Sequence, residues 1–299
     1  MDFLRVVFPV SGVETNVLVP PLVALVISFF TSMGGVSGAF LILPFQMSVF
    51  GYTAPSVSGT NFVYNIVAIP SGVYRYIREG RMAWPLTWVV LMGTLPGIFI
   101  GYYVRVYYLP DPGTFKAFVG LVLLYLAYRL ARELWRGNPL EAKSMQALKG
   151  GDARVRTTSV KLSRVQYEFQ GEVFSFNPVA MFLLAFLVGI VGGAYGIGGG
   201  AIIAPICVSV FRLPVYTVAG AALAGTFFTS VVGVIFYSVL PSGLETSPDW
   251  LLGLLFGAGG FAGMYLGARA QRFVPQRFIK AILALVILFV AVKYIVQYF

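Results

Sequence analysis

Eight long apolar stretches alternate with short polar connections along the chain, at roughly 18–50, 57–77, 85–108, 114–135, 179–211, 216–239, 249–268 and 277–297. A helix needs about 20 apolar residues to cross the hydrocarbon of a bilayer, so the pattern predicts membrane-spanning α-helices. The stretches 18–50 and 179–211 are too long for one simple span. Both are broken by glycine, a poor residue for a helix interior. In the first, Gly34-Gly35-Val36-Ser37-Gly38 precedes Leu41-Ile42-Leu43-Pro44. In the second, Tyr195-Gly196-Ile197-Gly198-Gly199-Gly200 precedes Ile202-Ile203-Ala204-Pro205. Interrupted apolar segments at matching positions of two halves point to the binding site of a transporter.

The match extends beyond the motif. Shifting the first half by 161 positions superposes Gly35 on Gly196, Gly38 on Gly199, Pro44 on Pro205, Gly59 on Gly220 and Gly72-Val73 on Gly233-Val234. Gly97 and Gly101 meet Gly263 and Gly267 at an offset five residues larger. Matched Gly and Pro in one order indicate duplication. The predicted organisation is therefore a first transmembrane repeat over 1–135, a polar linker over 136–178 and a second repeat over 179–299. In the linker, Val165 to Phe169 alternates apolar and polar, Gln170-Gly171 reads as a turn, and Val173 to Phe176 follows as a second strand. Such a β-hairpin is marginal alone and is expected to pack on the membrane domain. The linker reads either as a tether or as a regulatory or partner-docking element.

Composition agrees with a membrane protein: 58% of residues are hydrophobic and 11% charged, against about a quarter charged in soluble domains. Lys and Arg number 21 against 11 Asp and Glu. That excess lies in loops and is a topological signal, not a sign of nucleic acid. With no His and one Cys, the chain lacks the usual means for a disulfide, zinc, haem or His-based catalysis. No cofactor is expected, and Cys207 reads as a small apolar residue. The opening residues lack a basic n-region and cleavage site, so no cleaved leader is expected.

Charge then selects a topology. If both long stretches enter and return as re-entrant hairpins, Arg75, Arg78, Arg81, the central basic loop, Arg212 and Arg269 to Arg277 share one side. Glu14, Glu245 and Asp249 fall on the other. The expectation is an all-α polytopic protein of two inverted repeats, each a broken helix hairpin plus three transmembrane helices. Its linker is cytoplasmic and its termini lie outside the cytoplasmic membrane. Tilted continuous helices are the rival.

The second motif, Gly196-Ile197-Gly198-Gly199-Gly200 with Pro205, closely resembles the signature of the sulfite exporter TauE/SafE family, and the first is a degenerate copy with Ser37 in place of Gly198. The resemblance covers both membrane halves. It implies a membrane permease for a small sulfur-containing or organic anion such as sulfite, thiosulfate, a sulfonate or sulfoacetate. Gly59-Thr60-Asn61 and Gly220-Ala221-Ala222 depart from the Gly-Thr-Ser more usual after the hairpin, so the resemblance does not fix the substrate.

A buried anion needs donors and positive potential, which helix N-termini supply without a formal charge. The candidate site is therefore the two glycine tips: Gly34, Gly35, Ser37 and Gly38 in one, Tyr195, Gly196, Gly198, Gly199 and Gly200 in the other. Close helix packing is the alternative role of such glycines. A side chain at Gly199 is expected to block a ligand while leaving the fold intact. Asn61 and Asn65 lie one helical turn apart with Thr60 beside them, and Thr226 is the repeat counterpart of Asn65. These residues and Gln46 either contact the ligand or bond helix to helix. Arg75 and Arg105, near span ends, either snorkel to the interface or attract anions. No span carries a mid-membrane carboxylate or histidine, which argues against a proton relay. A carrier of a small anion in the bilayer is the leading reading. A passive anion channel, or a carrier of a non-sulfur organic anion, is the alternative; an intramembrane enzyme lacks the residues it would need.

Overall fold

The computed structural model describes residues 4–33, 36–136, 154–270 and 276–298. A short hairpin, β1 (Arg5–Val7) and β2 (Glu14–Asn16), leads into α1 (Val19–Met33) and α2 (Ala39–Val49). At 1.5 Å per residue these helices are about 22 and 16 Å long, too short to cross separately. Then come α3 (Ser56–Ala68), α4 (Pro70–Arg78), α5 (Trp84–Tyr103) with a π-helical extension over Val104–Tyr108, and α6 (Pro112–Arg136). The apolar stretch 57–77 is thus split at Pro70, which cannot donate to the carbonyl four residues back.

After α6, strands β3 (Val155–Val160), β4 (Val165–Phe169) and β5 (Glu172–Phe176) form an antiparallel sheet in that order. The second half follows as α7 (Pro178–Tyr195), α8 (Gly200–Ser209), α9 (Val215–Val239), α10 (Trp250–Ala270) and α11 (Gln276–Val296). Among the described residues, six helices are long and apolar enough to cross a membrane. The protein is an all-α polytopic membrane protein with two small sheets.

The two hairpins enter from opposite ends of the bundle. Next to α1, β1–β2 meets the start of α10, where Ser11 donates its backbone N–H (3.0 Å) and hydroxyl (2.8 Å) to Asp249. The Asp249 amide in turn donates to Thr60 Oγ1 near the start of α3 (2.8 Å). At that same end α2 finishes, since Tyr52, just beyond it, hydrogen-bonds Thr60 (3.1 Å). The first hairpin therefore begins and ends beside Glu14, Glu245 and Asp249. The sheet sits at the far end of α3–α4, where Val155 N–H donates to Gly80 O (2.9 Å). Tyr167 of β4 bonds Thr217 at the start of α9 (2.8 Å), and burial raises its phenol well above the usual range, keeping it neutral. The second hairpin begins and ends at this basic end. A rival of two tilted continuous helices does not describe these turns.

Packing between the halves is reciprocal. The most extensive helix contacts are α5 on α7 and α1 on α10, followed by α6 on α11 and α3 on α10. Exchanging each helix for its counterpart in the other half turns the first pair into the second. Gly93, Gly97 and Gly101 of α5 lie against the carbonyls of Phe182, Phe186 and Ile190, and Gly259, Gly263 and Gly267 of α10 against those of Pro21, Leu25 and Phe29. The glycine sets are 166 positions apart and the carbonyls 161, the two offsets seen in the sequence. Small residues at this spacing let backbones approach closely, as bilayer helices require.

Candidate functional site

The hairpin tips meet in the interior, and one side chain joins them. Asn61, on α3 and fully buried, donates its amide Nδ2 to Ala39 O in the first tip and to Gly196 O in the second, both at 3.0 Å. Tyr195, the last residue of α7, donates its hydroxyl to Phe40 O (2.8 Å). Pro44 explains why that carbonyl is available: it has no N–H for the carbonyl four residues back.

The dependence is testable. Tyr195→Phe should cost about 1–3 kcal/mol by orphaning a buried carbonyl. In a Pro44→Ala background, where residue 44 regains its N–H, the cost should shrink. Equal losses in both backgrounds, by thermal melts of the four variants, would show the two residues to be uncoupled.

Two further side chains reach the carbonyls of the prolines themselves. Tyr294 of α11 donates to Pro44 O (2.9 Å). Arg129 of α6 donates to Pro205 O, the equivalent carbonyl of the other half. The last helix of each half thus holds the second arm of the other half's hairpin. Neither donor stands out by motif, although Arg129 is a lone cation within the apolar run Leu121 to Leu130, and a cation at such a position marks a partner inside the bundle.

The two tips differ in conformation. In the second, Gly196, Gly198 and Gly199 all have positive φ, at 82°, 67° and 82°, which favours glycine. In the first, Gly38 has φ −67° and is right-handed, so it needs glycine for space instead. A Cβ there would sit 2.6 Å from Tyr64 Oη and 2.9 Å from Ser28 Oγ, two hydroxyls that hydrogen-bond each other (2.8 Å). Ser37 accepts from Ala39 N–H (3.3 Å) and donates to Asn65 Oδ1 (2.8 Å). Gly200 N–H donates to Thr226 Oγ1 (3.0 Å), and Thr229 donates to Gly198 O (3.0 Å). Gly34 and Gly35 lie outside the described residues.

Several sequence expectations change accordingly. A side chain at Gly199 is not a local obstruction, because φ there is positive and a Cβ would press on Val188 at 3.0 Å; it would disturb the fold as well. Arg105 does not snorkel: it is fully buried, donates to Leu109 O and Thr53 O (the latter 2.8 Å) and lies 3.6 Å over the Phe115 ring. It ties the 51–56 turn to the α5–α6 corner. Arg75 is exposed and paired with Glu79 at 2.8 Å. Thr60 supports the hairpin's outer end through Tyr52 and Asp249 rather than the tip. Gln46 is fully buried on α2, and neither of its amide atoms finds a partner among the described residues.

Among the described residues, α1 to α3 and α7 to α9 carry no charged side chain. The potential at the tips comes from backbone dipoles and amides, with the Arg129 guanidinium reaching α8.

The family profile for the sulfite exporter TauE/SafE matches residues 21–294. The chain belongs to this family. It is similar to a probable membrane transporter protein, YunE, of Bacillus subtilis (strain 168), with 24% identity over 89% of this chain and 92% of that protein. It is also similar to the probable membrane transporter protein MamO of Magnetospirillum gryphiswaldense, with 23% identity over 86% of this chain. That match takes in 41% of the longer MamO. A further B. subtilis protein, the probable membrane transporter YdhB, is 32% identical over 36% of this chain and 46% of its own length. No solved structure matches the chain significantly. Membership makes the protein a membrane transporter.

Proposed function

We propose that the protein is a secondary transporter that moves a small sulfur-containing anion, such as sulfite, thiosulfate or a sulfonate, across the cytoplasmic membrane. It does so by alternating access between two inverted repeats. The observation that carries this reading is that two broken hairpins, whose described helical residues carry no charged side chain, enter from opposite ends and meet through Asn61. Reciprocal packing of α1 on α10 and α5 on α7 supports the inverted relation and offers two like interfaces across which the halves can rock. The amino-terminal ends of α2 and α8 lie at the tips, where the positive ends of their dipoles suit an anion, although Ala39 N–H is already bonded to Ser37 Oγ and Gly200 N–H to Thr226 Oγ1. Arg75, Arg78, Arg81, Arg154 and Arg212 at the sheet end favour a cytoplasmic location for that end by the positive-inside rule, with the amino-terminal hairpin outside.

Counterflow in proteoliposomes with sulfite, thiosulfate, sulfate, sulfonates and short carboxylates tests this. Saturable, trans-stimulated flux of a sulfur oxyanion is the expected result. Flux without trans-stimulation would make the protein a channel, and counterflow of carboxylates alone would move it to organic anions. With no carboxylate on the described residues of α1 to α3 or α7 to α9, exchange should persist when the proton gradient is collapsed. A strict need for that gradient with a non-protonatable substrate would reveal a relay elsewhere.

A further inference from the structure

The two halves are alike in backbone and unlike in side chains. Along the first hairpin and α3, polar residues stand at Ser28, Thr31, Ser37, Gln46, Ser58, Thr60, Asn61 and Tyr64. Their counterparts 161 positions on are Gly189, Gly192, Gly198, Cys207, Ala219, Ala221, Ala222 and Gly225. Each of these eight counterparts is small and none carries a hydroxyl or amide side chain, whereas Ser48, Ser56 and Asn65 meet polar counterparts, Ser209, Thr217 and Thr226. The second half fills the space with backbone instead: a Cβ on Gly189 would lie 2.6 Å from Thr94 O, and one on Gly192 2.5 Å from Gly199 N.

The polar set of the first half is not fully used by the protein. Gln46 Oε1 and Nε2, Asn61 Oδ1 and Asn65 Nδ2 are buried and without hydrogen-bond partners among the described residues. All three side chains are fully buried. A buried amide atom without a partner is costly and calls for an explanation. These three residues follow one seam. Asn65 is fixed beside the tip by Ser37, Asn61 one turn back by Ala39 O. Gln46 lies seven residues, about two turns, along α2 from Ala39 and so returns to the same side of that helix. The seam α2–α3 thus runs from the tip toward the 51–56 turn. In the second half's hairpin and α9, Ser230 Oγ is the one side-chain atom in the same condition among the described residues. Thr226 and Thr229 are satisfied by backbone carbonyls and by the tip.

We propose that the transported ion passes along the α2–α3 seam of the first half, held in turn by the amides of Asn65, Asn61 and Gln46, while the α8–α9 seam is a dry packing interface. This rests on the transporter reading but adds a route, and an asymmetry that a duplicated fold does not require. The amides also specify the ligand's chemistry. Asn61 Nδ2 is pinned by two carbonyls, so its Oδ1 is a fixed acceptor; Asn65 offers a donor. The ion that satisfies both is an oxyanion that also brings a proton donor, as an O–H or a retained water.

Two measurements test the route. Gln46→Met keeps the volume and removes an unsatisfied amide, so its melting temperature should hold or rise. Counterflow of the best substrate from the panel should fall by about tenfold or more, the worth of one hydrogen bond to a charged group. A Gln46→Met protein that melts lower and transports normally would make Gln46 structural and overturn the proposal. For accessibility, Gln46→Cys in a Cys207→Ala background should react with a small membrane-impermeant thiol reagent added on the amino-terminal side. Native Cys207, its counterpart, should stay unreactive in the parent protein. Labelling of Cys207 with position 46 silent would reverse the asymmetry and sink the idea. If no member of the panel is transported yet position 46 labels, the sulfur-anion reading falls and the route stands. If counterflow proceeds normally in Gln46→Met, the reverse holds.

Discussion

Asn61→Leu is expected to destabilise the protein by about 1–3 kcal/mol and to abolish counterflow, a larger functional loss than any other single side chain at the tips should give. The reason is geometric. One NH₂ group satisfies a carbonyl in each hairpin tip at 3.0 Å, and leucine of similar volume restores neither bond. Gly196 O ends a helix at a left-handed residue, where no following N–H continues the ladder, so its carbonyl would be left buried and unpaired. Ala39 O retains the first-turn geometry of α2 and should suffer less. Asn61→Asp separates the donor from the shape: it keeps the volume but turns a second oxygen toward two carbonyls, so it should be at least as damaging as leucine. Native-like melting and counterflow in purified Asn61→Asp would show that the bridge between the tips carries neither stability nor transport.

Gly97→Ile and Gly263→Ile should each prevent recovery of a monodisperse protein, and should do so equally. At Gly97 a Cβ would lie 2.9 Å from the Cα of Gly189, and at Gly263 3.0 Å from the Cα of Leu25. Both neighbours are backbone, which cannot turn aside as a flexible side chain can. Relief requires separating α5 from α7, or α10 from α1, along their whole lengths. Overpacking usually costs about 1–3 kcal/mol; a branched side chain forced between two helix axes belongs at or above the top of that range. Gly243 is the control, because a Cβ placed on it would meet nothing within 4 Å: Gly243→Ala should melt like the parent. Size-exclusion profiles and thermal melts of the three variants decide. Disruption by only one of the two isoleucines would mean that the two interfaces are not equivalent.

Much of this architecture is written in local chemistry. Glycine runs inside apolar stretches mark chain breaks because glycine alone readily tolerates φ of 82° at Gly196 and Gly199. Pro44 and Pro205 repeat because each opens a helix ladder at the same point of a hairpin arm. Charge sorting separates the two ends because basic and acidic loops cluster in sequence before they cluster in space. The strand at 165–169 alternates buried and half-buried positions, as a strand with one buried face does.

The features that sequence reading misses depend on partners distant in the chain. Strand β3 is polar along most of its length and lacks an apolar alternation, β1 and β2 have three residues each, and these strands dock at Gly80 O and Asp249. Arg105 reads as a boundary cation until the 51–56 turn supplies Thr53 O and α6 supplies the Phe115 ring.

The sequence by itself determined that the chain is a helical membrane protein with a glycine-broken apolar stretch in each half, since spacing, glycine and proline act within a few turns. Only the tertiary structure decided which half's helix lies on which, that one asparagine joins the tips, and that the unsatisfied amides of the described helices, on Gln46, Asn61 and Asn65, gather in the first half. Those outcomes are set by close contact between backbones and by hydrogen bonds such as Asn61 to Gly196 and Tyr195 to Phe40, whose partners lie 135 and 155 residues apart. No local pattern encodes such a partner.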